Sequence, residues 1–179
     1  MKKIVIASDI HGSAYWCEKL LAFFEGVGAE QLVLVGDLLY HGPRNPLPDG
    51  YDTVAVTKML NAVKDKIVAV RGNCDSEVDQ MVLEFPMLAD YALLPTDKKT
   101  LYISHGHLPL PPLTEKYAVV SGHTHLAGHE VLECGATYLN DGSVALPKEN
   151  KPHSCILLTG DTLSWIDLTT GQVFDELKL

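Results

Sequence analysis

Five short apolar runs in this chain end in the same way, with a small residue followed by a side chain able to hold a metal. The endings are Ala7-Ser8 before Asp9, Val35-Gly36 before Asp37, Arg71-Gly72 before Asn73, Ile103-Ser104 before His105, and Ser121-Gly122 before His123. Short apolar runs closed by turn formers read as strands buried on both faces. In the first half they alternate with helix-period segments, the mark of βαβ units around a parallel sheet. Open α/β sheets bind ligands outside the carboxyl ends of their strands. If the five runs are parallel, five oxygen- and nitrogen-bearing side chains therefore converge on one edge. Taken singly each ending is weak, because Asp and Asn after a strand are ordinary turn formers. With eight histidines in the chain, His105-Gly106-His107 or Gly122-His123-Thr124-His125 alone also proves little. The repetition at equivalent strand ends is what a turn preference does not supply.

Ile4 to Ala7 is the first expected strand. A helix follows with Ser13 as its N-cap and Trp16, Leu20, Phe23, Phe24 and Val27 along one face; Gly26 and Gly28 stop it. Leu32 to Val35 is the second strand. The segment His41 to Gly50 holds too much Pro and Gly for regular structure. A second helix carries Val56, Met59, Leu60 and Val63 on one face, and Ile67 to Val70 is the third strand. From about Pro86 the helical period fades. Strands are expected at Thr100 to Ser104, Ala118 to Ser121, His129 to Cys134, Ala136 to Leu139, Cys155 to Leu158 and Leu163 to Leu168. The fold class is α/β: two packed mixed β-sheets flanked by helices, in one domain spanning residues 1–179.

Composition narrows the function classes. The 179 residues hold 14 Lys and Arg against 23 Asp and Glu, a formal charge of −9, with 46% hydrophobic residues. A chain of this size and composition can bury a core without disulfides. The acidic balance argues against a surface for long nucleic acid or anionic membrane. No run approaches the roughly 18 apolar residues of a membrane span, and Asp9 and His11 interrupt the N-terminal apolar run too early for a signal-peptide core. The four cysteines show neither CxxC spacing nor a disulfide framework. The expectation is a cytoplasmic protein with reduced thiols.

The ordered set Asp9-Ile10-His11-Gly12, Gly36-Asp37, Gly72-Asn73-Cys74-Asp75, His105-Gly106-His107 and Gly122-His123-Thr124-His125 closely resembles the five signatures of the calcineurin-like metallophosphoesterases. The resemblance runs from Met1 to about Lys148, with the spacing of that superfamily's small, single-domain bacterial and archaeal phosphodiesterases. Asn140-Asp141-Gly142-Ser143-Val144 is similar to a family segment reading Asn-Pro-Gly-Ser-Val, with Asp141 in place of Pro. The resemblance implies the family's four-layer sandwich of two mixed sheets and helices. It also implies one metal held by Asp9, His11, Asp37 and His125, and a second held by Asp37, Asn73, His105 and His123, with Asp37 bridging. Two divalent ions would then acidify a bridging water for in-line attack on a small phosphodiester. Ligands without thiolate suit Mn²⁺, Fe²⁺ or Zn²⁺; the resemblance favours Mn²⁺, with Ni²⁺ also open.

The catalytic assignment is Asp37, Asn73 and Asp75, where Asp75 either orients His11 or holds the loop through its carboxylate, or is a plain turn residue. Substrate contacts are assigned to Arg44, His41 and His107. Each has a plainer reading: a solvated loop arginine, a loop histidine, a surface histidine. Most calcineurin-like enzymes carry His after the ligand Asn, often proposed to protonate the leaving oxygen. Cys74 stands there, either as a weak acid or as a small structural residue. Besides a phosphodiesterase, the residues leave open a phosphomonoesterase or nucleotide phosphohydrolase, and a non-catalytic scaffold like the retromer subunit of the same fold. Assembly of the chain with itself is also open.

Overall fold

The computed structural model describes residues 2–179. Its elements run β1 (Lys3–Ala7), α1 (Ala14–Gly26), β2 (Gln31–Leu34), α2 (Thr53–Ala62), a 3-10 turn (Lys64–Lys66), β3 (Ile67–Ala69), α3 (Glu77–Val82), β4 (Ala92–Pro95), β5 (Thr100–Ile103), β6 (Tyr117–Ser121), β7 (Gly128–Val131), β8 (Thr137–Asn140), β9 (Ser154–Thr159), β10 (Thr162–Asp167) and β11 (Val173–Lys178). A six-stranded sheet has the order β11-β10-β9-β1-β2-β3, and a five-stranded sheet the order β4-β5-β6-β8-β7. Both are mixed. β1, β2 and β3 are mutually parallel, as are β5, β6 and β8, while β4, β7, β9, β10 and β11 pair antiparallel.

The period-two alternation of β1 divides the core. Ile4 and Ile6 face the second sheet, joining Val33, Val35, Leu101, Ile103, Val120, Leu139 and Trp165. Val5 and Ala7 face the other way, onto Trp16, Leu20 and Phe24 of α1 and Val56 and Leu60 of α2. From Ile4 to Ala7 each β1 residue is therefore buried whichever way it points, as a central strand demands. Both helices with buried faces pack on the six-stranded sheet. On the outer face of the five-stranded sheet Tyr102 stacks on Tyr91 with ring centroids 5.1 Å apart. α1 begins as its sequence dictates: Ser13 Oγ accepts from Trp16 N at 3.2 Å, and Gly28, at φ +66°, turns the chain beyond its end.

Three elements were not expected from the residue pattern, and each lacks a buried stripe. α3 is six residues long with no buried side chain. β4 ends in a proline at a sheet edge, and β11 is an edge strand with four of its six residues exposed and none fully buried. The expected strand His129 to Cys134 stops at Val131 because Leu132 and Gly135 form a turn, with Gly135 N donating to Leu132 O.

Candidate metal centre

The five strand ends converge where the two sheets meet at their carboxyl edges. Asp9 and His11 follow β1, Asp37 follows β2, Asn73 follows β3, His105 follows β5, and His123 and His125 follow β6. Main-chain bonds join the ends: Asp9 N donates to Gly36 O, His11 N to Asp37 O, and Gly122 N to His105 O. Close approach requires glycine at two of these corners. A Cβ on Gly36, which sits at φ +92°, would meet the main chain of Gly72, and one on Gly72 would overlap Asp37. Asp9, His11, Asp37, His123 and His125 are themselves left-handed, with φ between 48° and 64°. They are five of the seven non-glycine residues in that region among those described. Such conformations cost about 1–3 kcal/mol each and persist where surrounding structure enforces them, commonly at functional sites.

Each of the three buried imidazoles is locked by a carbonyl. His11 Nδ1 donates to Tyr40 O at 2.8 Å, His125 Nδ1 to Leu146 O at 2.5 Å, and His105 Nδ1 to Val35 O at 2.6 Å. A carbonyl only accepts, so the proton of each neutral ring is on Nδ1 and the Nε2 lone pair faces inward. Nε2 of His11 and of His125 stand 3.3 Å apart, with Asp9 Oδ1 at 3.3 and 3.1 Å from them. Asp9 Oδ1 is buried and has no hydrogen-bond partner among the described residues. On the second side His105 Nε2 lies 3.1 Å from Asn73 Oδ1 and 3.4 Å from Asp37 Oδ2. Converging acceptors of this kind call for a positive centre among them, either a proton or a metal cation. The donor set is carboxylate, imidazole and amide, which suits divalent ions such as Mn²⁺, Fe²⁺ or Zn²⁺.

The electrostatics agree. Burial pushes the Asp9 carboxyl up, but His11, His125 and His105 outweigh it and hold the group well below the usual carboxylate range. Burial likewise opposes charge on His105, yet Asp37 and Asp9 raise it to about 9. The carboxylates that draw a proton to this ring would draw a cation equally.

The two carboxylates are disposed alike. Asp9 Oδ2 accepts from His123 N at 3.0 Å and from Ser8 Oγ, leaving Oδ1 for the imidazoles. Asp37 Oδ1 accepts from Cys74 N at 2.8 Å, leaving Oδ2 to face His105 and, at 3.8 Å, His11. Oδ2 therefore lies between the two halves of the cluster, where a shared ligand would stand. The His123 ring sits at the mouth, 5.2 Å from that of His105 between centroids.

Other expected site residues are placed differently. Asp75 does not orient His11, a task done by the Tyr40 carbonyl. Its carboxylate accepts from the main-chain N of Asp37, Leu38 and Gly72 at 2.7–2.9 Å, tying the end of β2 to that of β3. His41 is displaced from the cleft and packs edge-on between Tyr40 and Tyr51, at 4.8 and 5.4 Å. His107 stands beside His105 and His123, at 5.5 and 6.3 Å between rings, where burial and the neighbouring imidazoles hold it below its ordinary pKa. Arg44 lines the cleft over the cluster, a space of about 550 Å³ shared with Asp37, Asn73, Cys74, His123, His125 and Lys148. Lys148 escaped the sequence reading. It follows the resembling segment by four residues, and only the bond from its N to His125 O brings it to the cleft. Cys74 Sγ lies within 4.8 Å of ligand atoms of both His11 and Asp37.

The family model of the calcineurin-like phosphoesterase superfamily domain matches residues 1–162. Phosphodiesterase YfcE of Escherichia coli K12 is 44% identical over 184 aligned positions, covering 100% of this chain and 99% of the relative. The solved structure of the E. coli YfcE phosphoesterase superposes with a TM-score of 0.93 over 98% of both chains. An archaeal phosphodiesterase, at 20% identity and a TM-score of 0.61 over 99% of both chains, shares the fold. So does Vps29 of Chaetomium thermophilum, at 15% identity and a TM-score of 0.58 over 100% of this chain and 97% of that one. Vps29 thus resembles this chain in fold alone. By the model match over nine-tenths of its length and by full-length identity to a member, this chain belongs to the calcineurin-like phosphoesterase superfamily.

Proposed function

We propose that the chain is a metal-dependent phosphodiesterase acting on small phosphodiesters, with two divalent cations, Mn²⁺ by preference, in the cluster. The observation that carries this reading is the pair of oxygens Asp9 Oδ1 and Asp37 Oδ2, each turned toward inward-facing imidazole nitrogens. Asp9, His11, Asp37 and His125 would hold one cation, and Asp37, Asn73, His105 and His123 the other, Asp37 being shared. When bound, such a pair supplies Lewis acidity, acidifying a water for in-line attack and neutralising charge on the phosphate.

The chain's own groups do the rest. The carbonyls of Tyr40, Leu146 and Val35 fix the three buried imidazoles, and Asp75 fixes the corner from which Asp37 and Asn73 project. Arg44 and Lys148, both exposed on the cleft wall, offer donors to phosphate oxygens. The whole of residues 1–179 acts as one domain. Four free cysteines, Cys134 among them exposed, suit a reducing cytoplasm; among the described residues no helix is long and apolar enough to cross a membrane.

Charge argues for a diester. Two divalent cations set against the carboxylates of Asp9 and Asp37 and one hydroxide would leave an excess of about one positive charge, which a monoanionic diester matches better than a dianionic monoester. Specificity constants for an aryl phosphodiester and the matching monoester, with saturating Mn²⁺, should favour the diester modestly. A monoester preference would point instead to a phosphomonoesterase, and no metal-dependent turnover of either to the scaffold.

A further inference from the structure

Asp9 is steadied from behind by a chain of groups that the metal ligands do not include. Ser8 Oγ lies 2.5 Å from Asp9 Oδ2 and 2.7 Å from Oδ1 of Asp141, whose side chain is completely buried. A serine hydroxyl carries one proton. It cannot donate to two carboxylates at once, and two anions converging on one hydroxyl oxygen in a dry interior repel each other strongly. One of the acids must therefore bring a second proton.

Asp9 is not that acid, since three imidazoles and the His123 amide favour its charged form. Asp141 has no such support. Its Oδ2 is buried without a hydrogen-bond partner among the described residues, which is far less costly for the carbonyl oxygen of a neutral acid than for a carboxylate oxygen. The groups facing it are Ser8 and, behind Ser8, Asp9 from the end of β1. On the β9 side stand Ser154, whose hydroxyl donates to Asp141 O, and the buried Cys155 thiol. The Ser8 hydroxyl, His105 and the main chain of Asp141 itself favour charge, but burial and Asp9 outweigh them, and no Lys or Arg pairs with Asp141 among the described residues. Where the resembling family segment has Pro, this chain has placed an acid.

We propose that Asp141 is a neutral carboxylic acid that donates its proton to Ser8 Oγ, so that Ser8 donates its own to Asp9 Oδ2, and that this two-link chain positions Asp9. Two protons serve two bonds, and Asp9 remains the charged end. Burial first, and then the charge of Asp9, lift the Asp141 carboxyl well above the usual range. With Oδ2 of Asp9 pinned by Ser8 and by His123 N, Oδ1 is held toward His11 and His125. The centre also keeps two negative carboxylates rather than three. The positioning role rests on the metal reading of Asp9 above; the proton on Asp141 does not.

Infrared difference spectra of the metal-free protein test the proton directly. Wild type minus Asp141→Asn at neutral pH should contain the carbonyl stretch of a protonated carboxylic acid; a difference confined to carboxylate bands overturns the proposal. Mn²⁺ titration tests the positioning. Asp141→Asn, whose amide also donates to Ser8, should retain the wild-type affinity, whereas Asp141→Ala and Ser8→Ala should each lose about tenfold, the scale of outer-shell partners. Equal losses in Asp141→Asn and Asp141→Ala would show that a charge is required and overturn the neutral acid. Undiminished affinity in Ser8→Ala would overturn the positioning chain. A wild type with the acid band but no Mn²⁺ uptake would overturn the metal reading and the positioning role with it, while establishing the proton on Asp141.

Discussion

Asp37 is the residue on which both halves of the centre depend, because Oδ2 faces His105 and His11 while Oδ1 is held by Cys74 N. Asp37→Asn keeps the shape and removes the charge. It should weaken both metals and cost more activity than the roughly 10- to 100-fold typical of outer-shell partners; elemental analysis alongside turnover checks this, and two tightly held ions with near-normal turnover would refute the shared-ligand role. Cys74 raises a different question. Its thiol lines the cleft beside Asp37 and His11, and a thiol is a weak donor compared with an imidazolium. Unless His107 or solvent protonates the leaving oxygen, rates should fall steeply as leaving-group pKa rises, with nitrophenyl esters cleaved well and alkyl esters poorly. Cys74→His should leave metal content intact and selectively raise rates on poor leaving groups. A flat leaving-group dependence in the wild type would mean that an efficient acid is already present. At this scale the sequence told which residue types meet, but not which way Arg44 and His41 turn: three positions apart on one loop, one lines the cleft and the other packs between tyrosines.

Among the elements, those with a strong local reason to form were legible beforehand. Ser13 caps α1, Gly28 turns the chain after it, and the apolar runs of β1, β2, β3, β5 and β6 all became strands. α3, β4 and β11 were not, because a short or edge element lacking a buried stripe leaves no period to read. The junction between α1 and the segment entering β9 gives an element-scale prediction. His153 stacks on Trp16 with centroids 3.5 Å apart and planes 11° from parallel, and its Nδ1 donates to Val144 O. Burial lowers its pKa below the ordinary histidine value, against the pull of Val144 O, Asp49 and Asp167. The unfolded chain therefore takes up this proton first, so stability is intact above about pH 6.5 and declines as pH falls through and below that value. His153→Phe keeps the stack and abolishes the titration. Urea unfolding of the metal-free proteins at pH 7.5 and 5.5 should show a smaller acid loss in the variant, and an equal loss would reject the assignment.

At the scale of the whole molecule, the centre stands between two sheets that each contribute candidate ligands, so a cation there would tie the sheets together. A ligand held only by the folded state stabilises it by about 2.7 kcal/mol at a hundredfold excess over Kd. For a domain of this size that corresponds to a fall in Tm of roughly 5–10 °C on chelation. Calorimetry with and without chelator should record that shift within a single cooperative transition; no shift would mean that the cluster binds no metal tightly. The amino-acid sequence by itself determined the strand runs, the α1 cap and the order of the metal-competent endings, because those follow from side-chain period and from residues a few positions apart. Tertiary structure alone decided that Asp75 holds main-chain amides, that His41 leaves the cleft, that Lys148 enters it and that Asp141 stands behind Ser8. Those outcomes depend on contacts between residues as many as 133 positions apart in the chain, and a side chain's direction across such a distance is set by how the two sheets pack, which no local pattern encodes.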